Sequence, residues 1–401
     1  MHPSEHSAGK LDRIKVIVAG LCALVLTVGL ARFAYTPMLP IMRAQTGLTV
    51  VTGGWLATWN YIGYMAGALL AAYISRLETK FVLYRAGLLL AMATTLAMGF
   101  TQAPVAWGVL RFLSGVSSVT GMLLSSGLVL NWLMRHHYKP ELGLHFMGVG
   151  GGIAISGIAV ELLSNNLDWA GDWIGLAVFG LIFLAGAWFW MPAPITSKGS
   201  TKHVEQIRPS RSWMTLLALA YFCAGYGYVV GATFIVDIVD RLPTFSGHGN
   251  WVWVLVGLAA TPASFLWDSV ARRYGMIQAL LTAYLLQVVS IILPVLSRAA
   301  SWVSLSAFLF GVTFVGIVSL TLALIGRYNP GNPAKAMARL TLSYGVTQII
   351  GPVITAYLSN HFGNYDAALL FVAAIMLGGV AALLLLAKKP ALNMLAAPAN
   401  S

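Results

Sequence analysis

Long apolar stretches separated by short polar gaps follow one another along the whole chain. An α-helix needs roughly 20 apolar residues to cross the hydrocarbon core of a bilayer, and each stretch reaches that length. Strands of a membrane barrel would instead give short segments of alternating hydrophobicity. We therefore predict an all-α membrane protein with twelve transmembrane helices. The predicted spans are residues 14–42, 50–75, 81–101, 104–134, 142–165, 168–191, 213–240, 251–270, 276–297, 300–326, 337–360 and 366–387.

The composition excludes most soluble classes of protein. Of the 401 residues, 58% are hydrophobic and 9% are charged, whereas soluble proteins have about 25% charged residues. The net charge of +12 lies mostly in the gaps between apolar stretches, which indicates cytoplasmic loops and argues against nucleic-acid binding. Cys22 and Cys223 fall inside apolar stretches, so we expect buried free thiols and no disulfide framework.

The distribution of basic residues predicts the topology. With the N-terminus placed inside, 19 of the 24 Lys and Arg residues fall in inner segments, three fall in outer segments, and Arg32 and Arg111 fall within spans. Such an asymmetry places both termini in the cytoplasm. The first apolar stretch has no small-residue cleavage site after it, so we interpret it as a span and not as a removed signal peptide.

A polar stretch at 192–212 divides the chain almost in half. We predict an N-terminal bundle of six helices over 1–191, a cytoplasmic linker over 192–212, and a C-terminal six-helix bundle over 213–401. A shift of 196 residues relates the two halves, because it places 112–116 on 308–312 and aligns further landmarks. Those landmarks are Trp55 with Trp251, Arg76 with Arg272, and Gly29 with Gly225. Parallel six-span repeats resemble the construction of the major facilitator superfamily (MFS).

Four motifs carry that resemblance further. Residues 267–275 resemble the cytoplasmic loop signature of the superfamily, and Arg111 with Gly115 resembles the fourth-helix signature of its proton-coupled members. Residues 32–40 and 344–352 resemble the bacterial YbfB/YjiJ-like branch, which implies a location in the bacterial cytoplasmic membrane. The resemblance implies two pseudo-symmetric bundles that rock about a central site in alternating access. The first-half counterpart of the loop signature is degraded, since Ala72 takes the place of Asp268.

Two arginines within the spans are the strongest candidates for substrate binding. An Arg at the bilayer centre costs at least about 2.5 kcal/mol, so it normally faces a cavity or a partner. The resemblance implies that the spans of Arg32 and Arg111 line the central cavity, where two guanidiniums suit a carboxylate, phosphate or sulfonate. The alternative is that helix carbonyls or a structural acid satisfy them. The other predicted substrate-binding residues are Tyr35, Asn60, Tyr61, Tyr226, Tyr228, Tyr344 and Gln348.

Charged residues near the span ends suggest gating and proton coupling. The resemblance implies that the first and seventh spans meet at the outer gate, so Arg43 with Asp237 or Asp240 is a predicted gate pair, with interfacial snorkelling as the alternative. The resemblance implies a state-locking role for three residues of the loop signature, which are Asp268, Arg272 and Arg273. Glu161 and Arg111 are the candidates for proton coupling, although Glu161 is also compatible with a simple interfacial charge.

These features predict secondary transport of a small organic anion, coupled to protons or to counter-anion exchange. The alternative is proton-coupled efflux of drugs or metabolites. The sequence has no phosphate-binding loop, no catalytic cluster and no metal-ligand spacing, so we expect no enzyme activity, no cofactor and no metal. A membrane enzyme or a receptor would need features that the sequence lacks. The predicted partners are a small molecule and the lipid bilayer, and we expect a monomer that does not bind nucleic acid.

Overall fold

The computed structural model describes residues 9–74, 76–139, 142–194, 210–242, 245, 248–328 and 333–388. Within these residues the chain is helical and contains no strand. The first span consists of α1 (Lys10–Leu24), a π-helical segment (Val25–Phe33) and α2 (Tyr35–Thr46). The helices that follow are α3 (Val50–Tyr73), α4 (Leu77–Met98), α5 (Pro104–Val119), a second π-helical segment (Thr120–Ser125), α6 (Ser126–Arg135), α7 (Gly143–Ser164) and α8 (Trp169–Trp190).

The second half of the chain continues the pattern. Its helices are α9 (Arg211–Asp240), α10 (Asn250–Ala260), α11 (Ala263–Tyr274), α12 (Met276–Leu296), α13 (Ala300–Tyr328), α14 (Pro333–Phe362) and α15 (Asp366–Ala387). Most of these bounds lie within a few residues of the apolar stretches in the sequence. The agreement arises because each apolar stretch must satisfy its own backbone in lipid, and a helix does so internally.

Nine helices in the described part of the chain are long and apolar enough to cross a membrane, or ten when α10 and α11 count as one span. The prediction of an all-α protein with many spans is therefore confirmed. Two helices at expected spans, α3 and α14, have 24 and 30 residues but are not among the nine. The count of twelve stays a prediction.

The expected span at 251–270 is not one straight helix. Helices α10 and α11 meet at a bend of 44°, and Pro262 lies at the break. A proline has no N–H to continue the helical bonding, and its ring collides with the preceding turn. The bend is therefore a direct consequence of one residue in the sequence.

The described residues pack into two compact units. The first contains residues from 1–197 together with 234–261, and the second contains residues from 198–233 together with 262–401. The C-terminal end of α9 and the whole of α10 thus pack with the first unit. Most of the predicted linker at 192–212 lies outside the described residues, and the division of the chain at that linker stays a prediction.

Close packing of α3 against α5 positions the polar residues of the first unit. A Cβ atom on Gly115 would lie 2.0 Å from the backbone oxygen of Asn60, and one on Gly63 would lie 1.9 Å from that of Phe112. No other residue leaves room for two helix backbones at this separation. The contact brings Asn60 and Arg111 to the same level inside the unit.

Candidate functional site

The first span changes its hydrogen bonding midway through its length. In the π-helical segment Val25–Phe33, the backbone N–H of Ala34 donates to the oxygen of Gly29, five residues earlier, at 2.9 Å. After it, the backbone N–H of Met38 donates to the oxygen of Ala34, four residues earlier, at 3.0 Å, and Pro37 has no N–H. The four carbonyls of residues 30–33 therefore have only two backbone N–H groups available, those of Tyr35 and Thr36. Lipid offers no water to replace the missing donors, so side chains must satisfy the remaining carbonyls.

Arg111 on α5 supplies the replacement donors. Its Nη1 donates to the backbone oxygen of Ala31 at 3.1 Å, and its Nη2 donates to that of Arg32 at 3.3 Å. The hydroxyl of Ser114 donates to the same Ala31 oxygen at 2.6 Å. Helix carbonyls thus occupy two of the three nitrogens of the Arg111 guanidinium, which is one of the alternatives that the sequence left open.

Aromatic rings surround both guanidinium groups. The Cζ atom of Arg111 lies 4.3 Å from the ring centroid of Tyr35. The Cζ atom of Arg32 lies 4.7 Å from the centroid of Tyr61 and 4.5 Å from that of Tyr64. Both arginines are buried, at 6% exposure for Arg32 and 3% for Arg111. The ring faces stabilise the two cations through cation–π attraction.

Asn60 and Tyr35 mainly hold the site in shape. The side-chain amide of Asn60 donates to the backbone oxygen of Arg111 at 3.0 Å and to the Ser114 hydroxyl at 3.3 Å. The hydroxyl of Tyr35 donates to the backbone oxygen of Gly53 at 2.9 Å. The structure therefore brings together five predicted residues, which are Arg32, Tyr35, Asn60, Tyr61 and Arg111. Tyr64 joins them and was not predicted, although it lies three residues after Tyr61 on the same helix face.

A second cluster, in the second unit, is aromatic. Tyr344 lies between Tyr228 and Tyr221, with ring centroids 5.7 Å and 4.5 Å away. Phe314 packs on the other side of Tyr228 at 5.4 Å. Gln348 is buried one turn after Tyr344. Three of the predicted residues of this half, Tyr228, Tyr344 and Gln348, therefore lie along one region of the unit.

Tyr226 does not join this aromatic cluster. Its ring packs edge-on against Phe371 at 5.8 Å. Residues two apart on an α-helix point about 200° apart, so Tyr226 and Tyr228 occupy opposite faces of α9. The structure separates Tyr226 from the predicted site residues that surround Tyr344.

The predicted outer ion pair is present within the first unit. Arg43 pairs with Asp237, and Arg241 bonds to the second oxygen of the same carboxylate at 3.3 Å. The side chain of Asp237 is only 2% exposed. Asp240 lies close to the backbone of Gly249. Of the two carboxylates that the sequence offered to Arg43, Asp237 is the one that it contacts.

Glu161 has two partners that the sequence did not reveal. The Nδ1 atom of His248 lies 3.2 Å from one carboxylate oxygen, and the side-chain amide of Asn250 donates to the other at 3.0 Å. Glu161 is buried, whereas the His248 side chain is 70% exposed. The two partners come from the loop after α9 and from the first turn of α10, where no sequence pattern pointed to them.

The loop signature forms a local arrangement on α11. Asp268 pairs with Arg272 of the next turn, and Arg272 also donates to the Ser269 hydroxyl at 3.1 Å. The Cζ atom of Arg273 lies 5.4 Å from the ring centroid of Tyr274. In the part of the chain that the structure describes, no ion pair joins this signature to another helix. The described residues also contain no group of three or more His, Cys, Asp or Glu that could hold a metal ion.

Comparisons with known proteins point to one family. The chain matches the family model described as "Uncharacterised MFS-type transporter YbfB" over residues 24–386. It is 24% identical over 385 residues to an uncharacterised MFS-type transporter of Enterobacter sp. (strain 638), covering 92% of this chain and 94% of that protein. It is also 23% identical to the "Probable sulfoacetate transporter" of Cupriavidus necator, with 96% of each chain covered.

Solved structures show the same fold. The nucleoside transporter NupG superposes with a TM-score of 0.74, covering 94% of this chain and 100% of that chain. The sequence identity is 12%, so the likeness is one of architecture and carries no information about substrate.

Proposed function

The chain belongs to the YbfB-like family of MFS-type transporters, and from this premise we propose that it moves a small organic anion across the bacterial cytoplasmic membrane. One observation carries the choice of an anion. Arg111 is a buried guanidinium whose contacts among the described residues are all with uncharged groups, namely two carbonyls and the ring of Tyr35. None of the ion pairs in the described part of the chain includes Arg111.

The neighbouring cation strengthens the argument. Arg111 donates to the backbone oxygen of Arg32, and the guanidinium of Arg32 is itself buried over the rings of Tyr61 and Tyr64. The same unit therefore buries two positive charges whose repulsion is weakly screened in a low-dielectric interior, and an anion bound near them would lower the free energy. A guanidinium presents a planar fork of donors that matches carboxylate, sulfonate and phosphate. The hydroxyls of Tyr61 and Tyr64 would add neutral donors.

The relatives support the same class of substrate. Sulfoacetate, the compound in the name of the Cupriavidus necator relative, carries a sulfonate and a carboxylate. Both groups are planar or trigonal arrays of oxygens that a guanidinium binds through paired hydrogen bonds. We propose a ligand of this chemistry without assigning that compound to this chain.

The proposal includes the architecture that the family construction implies. It places twelve spans in two pseudo-symmetric six-helix bundles, over 1–191 and 213–401, with both termini in the cytoplasm and a monomeric chain. The length of α3 and α14 supports this arrangement, because helices of 24 and 30 residues are long enough to cross a bilayer. Alternating access is then the transport mechanism, and the coupling is to protons or to counter-anion exchange.

The charged residues receive roles in the same proposal. The pair of Arg43 with Asp237 is an outer gate that must break when the outside opens, and Asp240 belongs to the same end of α9. Asp268, Arg272 and Arg273 stabilise one transport state at the cytoplasmic side. Glu161 and Arg111 are candidates for coupling transport to protons.

Tyr228, Tyr344 and Gln348 are proposed substrate contacts, whereas Tyr226 has a packing partner on the opposite face of α9.

A thermal-shift screen of purified protein tests the anion assignment. A ligand that binds only the folded state stabilises it by about 2.7 kcal/mol at 100 times its dissociation constant. The panel contains carboxylates, sulfonates, phosphates and lipophilic cations. We expect one anion class to raise the melting temperature of the wild type, and Arg32→Ala and Arg111→Gln to lose that shift. Arg111→Gln keeps a hydrogen-bond donor near the carbonyls of Ala31 and Arg32 but removes the charge.

Arg298→Ala is the matched control, because it removes an exposed arginine from the other unit. It should respond to the anion as the wild type does. Stabilisation by lipophilic cations, retained in Arg32→Ala and Arg111→Gln, would contradict the anion assignment and favour proton-coupled efflux of drugs or metabolites.

A further inference from the structure

A carboxyl group in the first turn of α8 lies outside every feature described so far. Asp172 is fully buried, at 0% exposure. Neither of its carboxyl oxygens has a hydrogen-bond partner among the described residues. Burial of an ionised carboxylate without a partner is very costly, so such a group takes up a proton instead. The geometry therefore indicates that Asp172 is a neutral carboxylic acid in this conformation.

The charged groups on the elements that pack against α8 face other partners. These elements are α1, α4, α7 and the outer part of the first span, together with α5, whose Trp107 packs edge-on against Trp169 at 5.6 Å. Arg111 of α5 donates to the backbone oxygens of Ala31 and Arg32. Arg32 lies over the rings of Tyr61 and Tyr64, Arg43 pairs with Asp237, and Glu161 binds His248 and Asn250. On α8 itself, the carboxylate of Asp168 accepts from the backbone N–H of Gly171.

The remaining titratable groups on α1 and α4 lie near the opposite end of α8. Tyr84 of α4 donates to the backbone oxygen of Ala187, and Cys22 of α1 lies beside Gly186. Ala187 is separated from Asp172 by about 22 Å along the helix. Among the residues that the structure describes, no ion pair includes Asp172, so a proton is the positive charge left to neutralise its carboxylate.

The turn that contains Asp172 is hydrogen-bonded to the helix that bears the arginine of the outer ion pair. The backbone N–H of Trp169, in the same first turn of α8, donates to Oε1 of Gln45 at 2.7 Å. Gln45 lies in the last turn of α2, two residues after Arg43. The helix that bears the gate arginine is thus bonded directly to the turn that bears the buried acid. A movement of α2 that breaks the gate pair would therefore also act on the turn that bears Asp172.

We propose that Asp172 is a proton-binding site, holding a proton while the outer end of the first span is closed and exchanging it with water when that end opens. On exposure the O–H bond of the carboxylic acid breaks, the proton passes to water as hydronium, and the carboxylate remains. The reverse reaction loads the site. This inference rests on the proposed transport function, and it selects protons over counter-anions as the coupling ion.

The bound proton has a direct spectroscopic test that needs no substrate. The infrared spectrum of purified protein at neutral pH should contain the C=O band of a protonated carboxylic acid. Asp172→Asn should lose that band. Asp168→Asn is the matched control, since it changes the same chemistry on an exposed residue of the same helix, and Asn also caps helices. An unchanged band in Asp172→Asn would overturn the proposal.

Labelled wild-type protein keeps the test valid if Asp172→Asn does not fold. Incorporation of ¹³C-labelled aspartate shifts the C=O band of an aspartic acid to lower frequency and leaves a glutamic acid band unchanged. A protonated-carboxyl band that shifts with the label supports the assignment. The absence of a shifted band shows that every aspartate is ionised, and that result overturns it.

The coupling role is tested in proteoliposomes that contain a pH-sensitive dye, with sulfoacetate as the probe anion. Addition of the probe should change the internal pH with wild type and with Asp168→Asn, and the change should fall at least tenfold with Asp172→Asn. A full pH change in Asp172→Asn would overturn the coupling role. A wild type that does not respond to the probe contradicts the proposed substrate class, while the infrared result still decides the proton site.

Discussion

The repeat in the sequence aligns the first span with helix α9, yet the two helices satisfy their backbones in different ways. The first span has a π-helical segment of nine residues and carries Pro37, whereas α9 is an uninterrupted helix of 30 residues with Thr233 at the equivalent position. A shift of 196 residues relates the two. Thr233 keeps its backbone N–H, so the turn before it needs no external donor.

The helices that pack against these two spans, α5 and α13, differ in the polarity of the side chains that face them. On α5, Arg111, Ser114 and Ser118 all donate to carbonyls of the first span. The equivalent residues on α13 are apolar: Ala307, Phe310 and Phe314. The two phenylalanines stack on one another with centroids 5.2 Å apart. Polar donors thus occur where a proline and a π-helical segment create a need for them, and the buried charge of the chain is concentrated in the same half.

The largest predicted effect concerns the helix contact that holds this arrangement together. Gly115→Val would push a side chain into the backbone of Asn60, where even a Cβ atom would lie at 2.0 Å. Overpacking of a core costs about 1–3 kcal/mol when side chains can yield, and a backbone yields less. We expect no monodisperse protein by fluorescence-detected size-exclusion chromatography. Gly127→Ala, where nothing lies within 4 Å, should behave as wild type; equal profiles for the two variants would contradict the packing argument.

Removal of the guanidinium should be the next largest effect. Arg111→Ala leaves the carbonyls of Ala31 and Arg32 without their side-chain donor, and each buried unsatisfied group costs about 1–3 kcal/mol. The thermal unfolding of this variant should occur well below that of Arg85→Ala. In the part of the chain that the structure describes, the Arg85 guanidinium lies over the rings of Phe81 and Trp188, an interaction of about 0.5–2 kcal/mol. A smaller loss for Arg111→Ala than for Arg85→Ala would show that its carbonyl contacts contribute little.

A double-mutant cycle sharpens the comparison of the two spans. Ser114→Ala removes the other side-chain donor to the Ala31 carbonyl, so the losses of stability in Arg111→Ala and Ser114→Ala should not add. The expected coupling is about 0.5–3 kcal/mol, the usual range for residues in one hydrogen-bond network. Ser290→Ala is the control, because its hydroxyl donates to the backbone oxygen of Ser306 in the second unit. Equal coupling of Arg111→Ala to both serine variants would show that Arg111 and Ser114 do not act on one carbonyl.

The smallest effect is expected for an exposed ion pair of the second unit. Arg298 contacts Asp366 at 2.6 Å, but the two side chains are 47% and 32% exposed. Arg298→Ala should cost at most about 1 kcal/mol, and the cost should disappear at high salt. Arg43→Ala should cost more and depend less on salt, since its partner Asp237 is buried. Melting curves at low and high salt measure the stability loss of each variant and its dependence on salt. A larger loss for Arg298→Ala than for Arg43→Ala would contradict the prediction that the buried pair contributes more.

The sequence predicted the helices because their signal is local. An apolar stretch in lipid must form a helix, and the prediction of 366–387 matches α15 (Asp366–Ala387). The bend at Pro262 and the opposite directions of Tyr226 and Tyr228 follow from equally local rules of helix geometry, so they are predictable from the sequence. The same holds for Asp172, because a carboxylate inside an apolar stretch needs either a partner or a proton.

The contacts within the candidate site could not be predicted from the sequence by such local rules. The donors that satisfy the first span come from Arg111 and Ser114, about 80 residues further along the chain, and their roles depend on how closely α3 and α5 pack. His248 reaches Glu161 from a loop between helices, where sequence gives no periodicity to follow. Pairings of this kind arise from tertiary structure and become visible only there.

The π-helical segment has a consequence for how this chain is compared with its relatives. A π-helical turn contains more residues than an α-helical one, so the side chains after Phe33 are rotated relative to a continuous α-helix. A helical wheel drawn through Lys10–Thr46 at 100° per residue would therefore place Tyr35 and Arg43 on the wrong faces. A relative that lacks the segment would align correctly only with a gap inside 25–33. Such a gap would lie in the middle of a membrane helix and not in a loop.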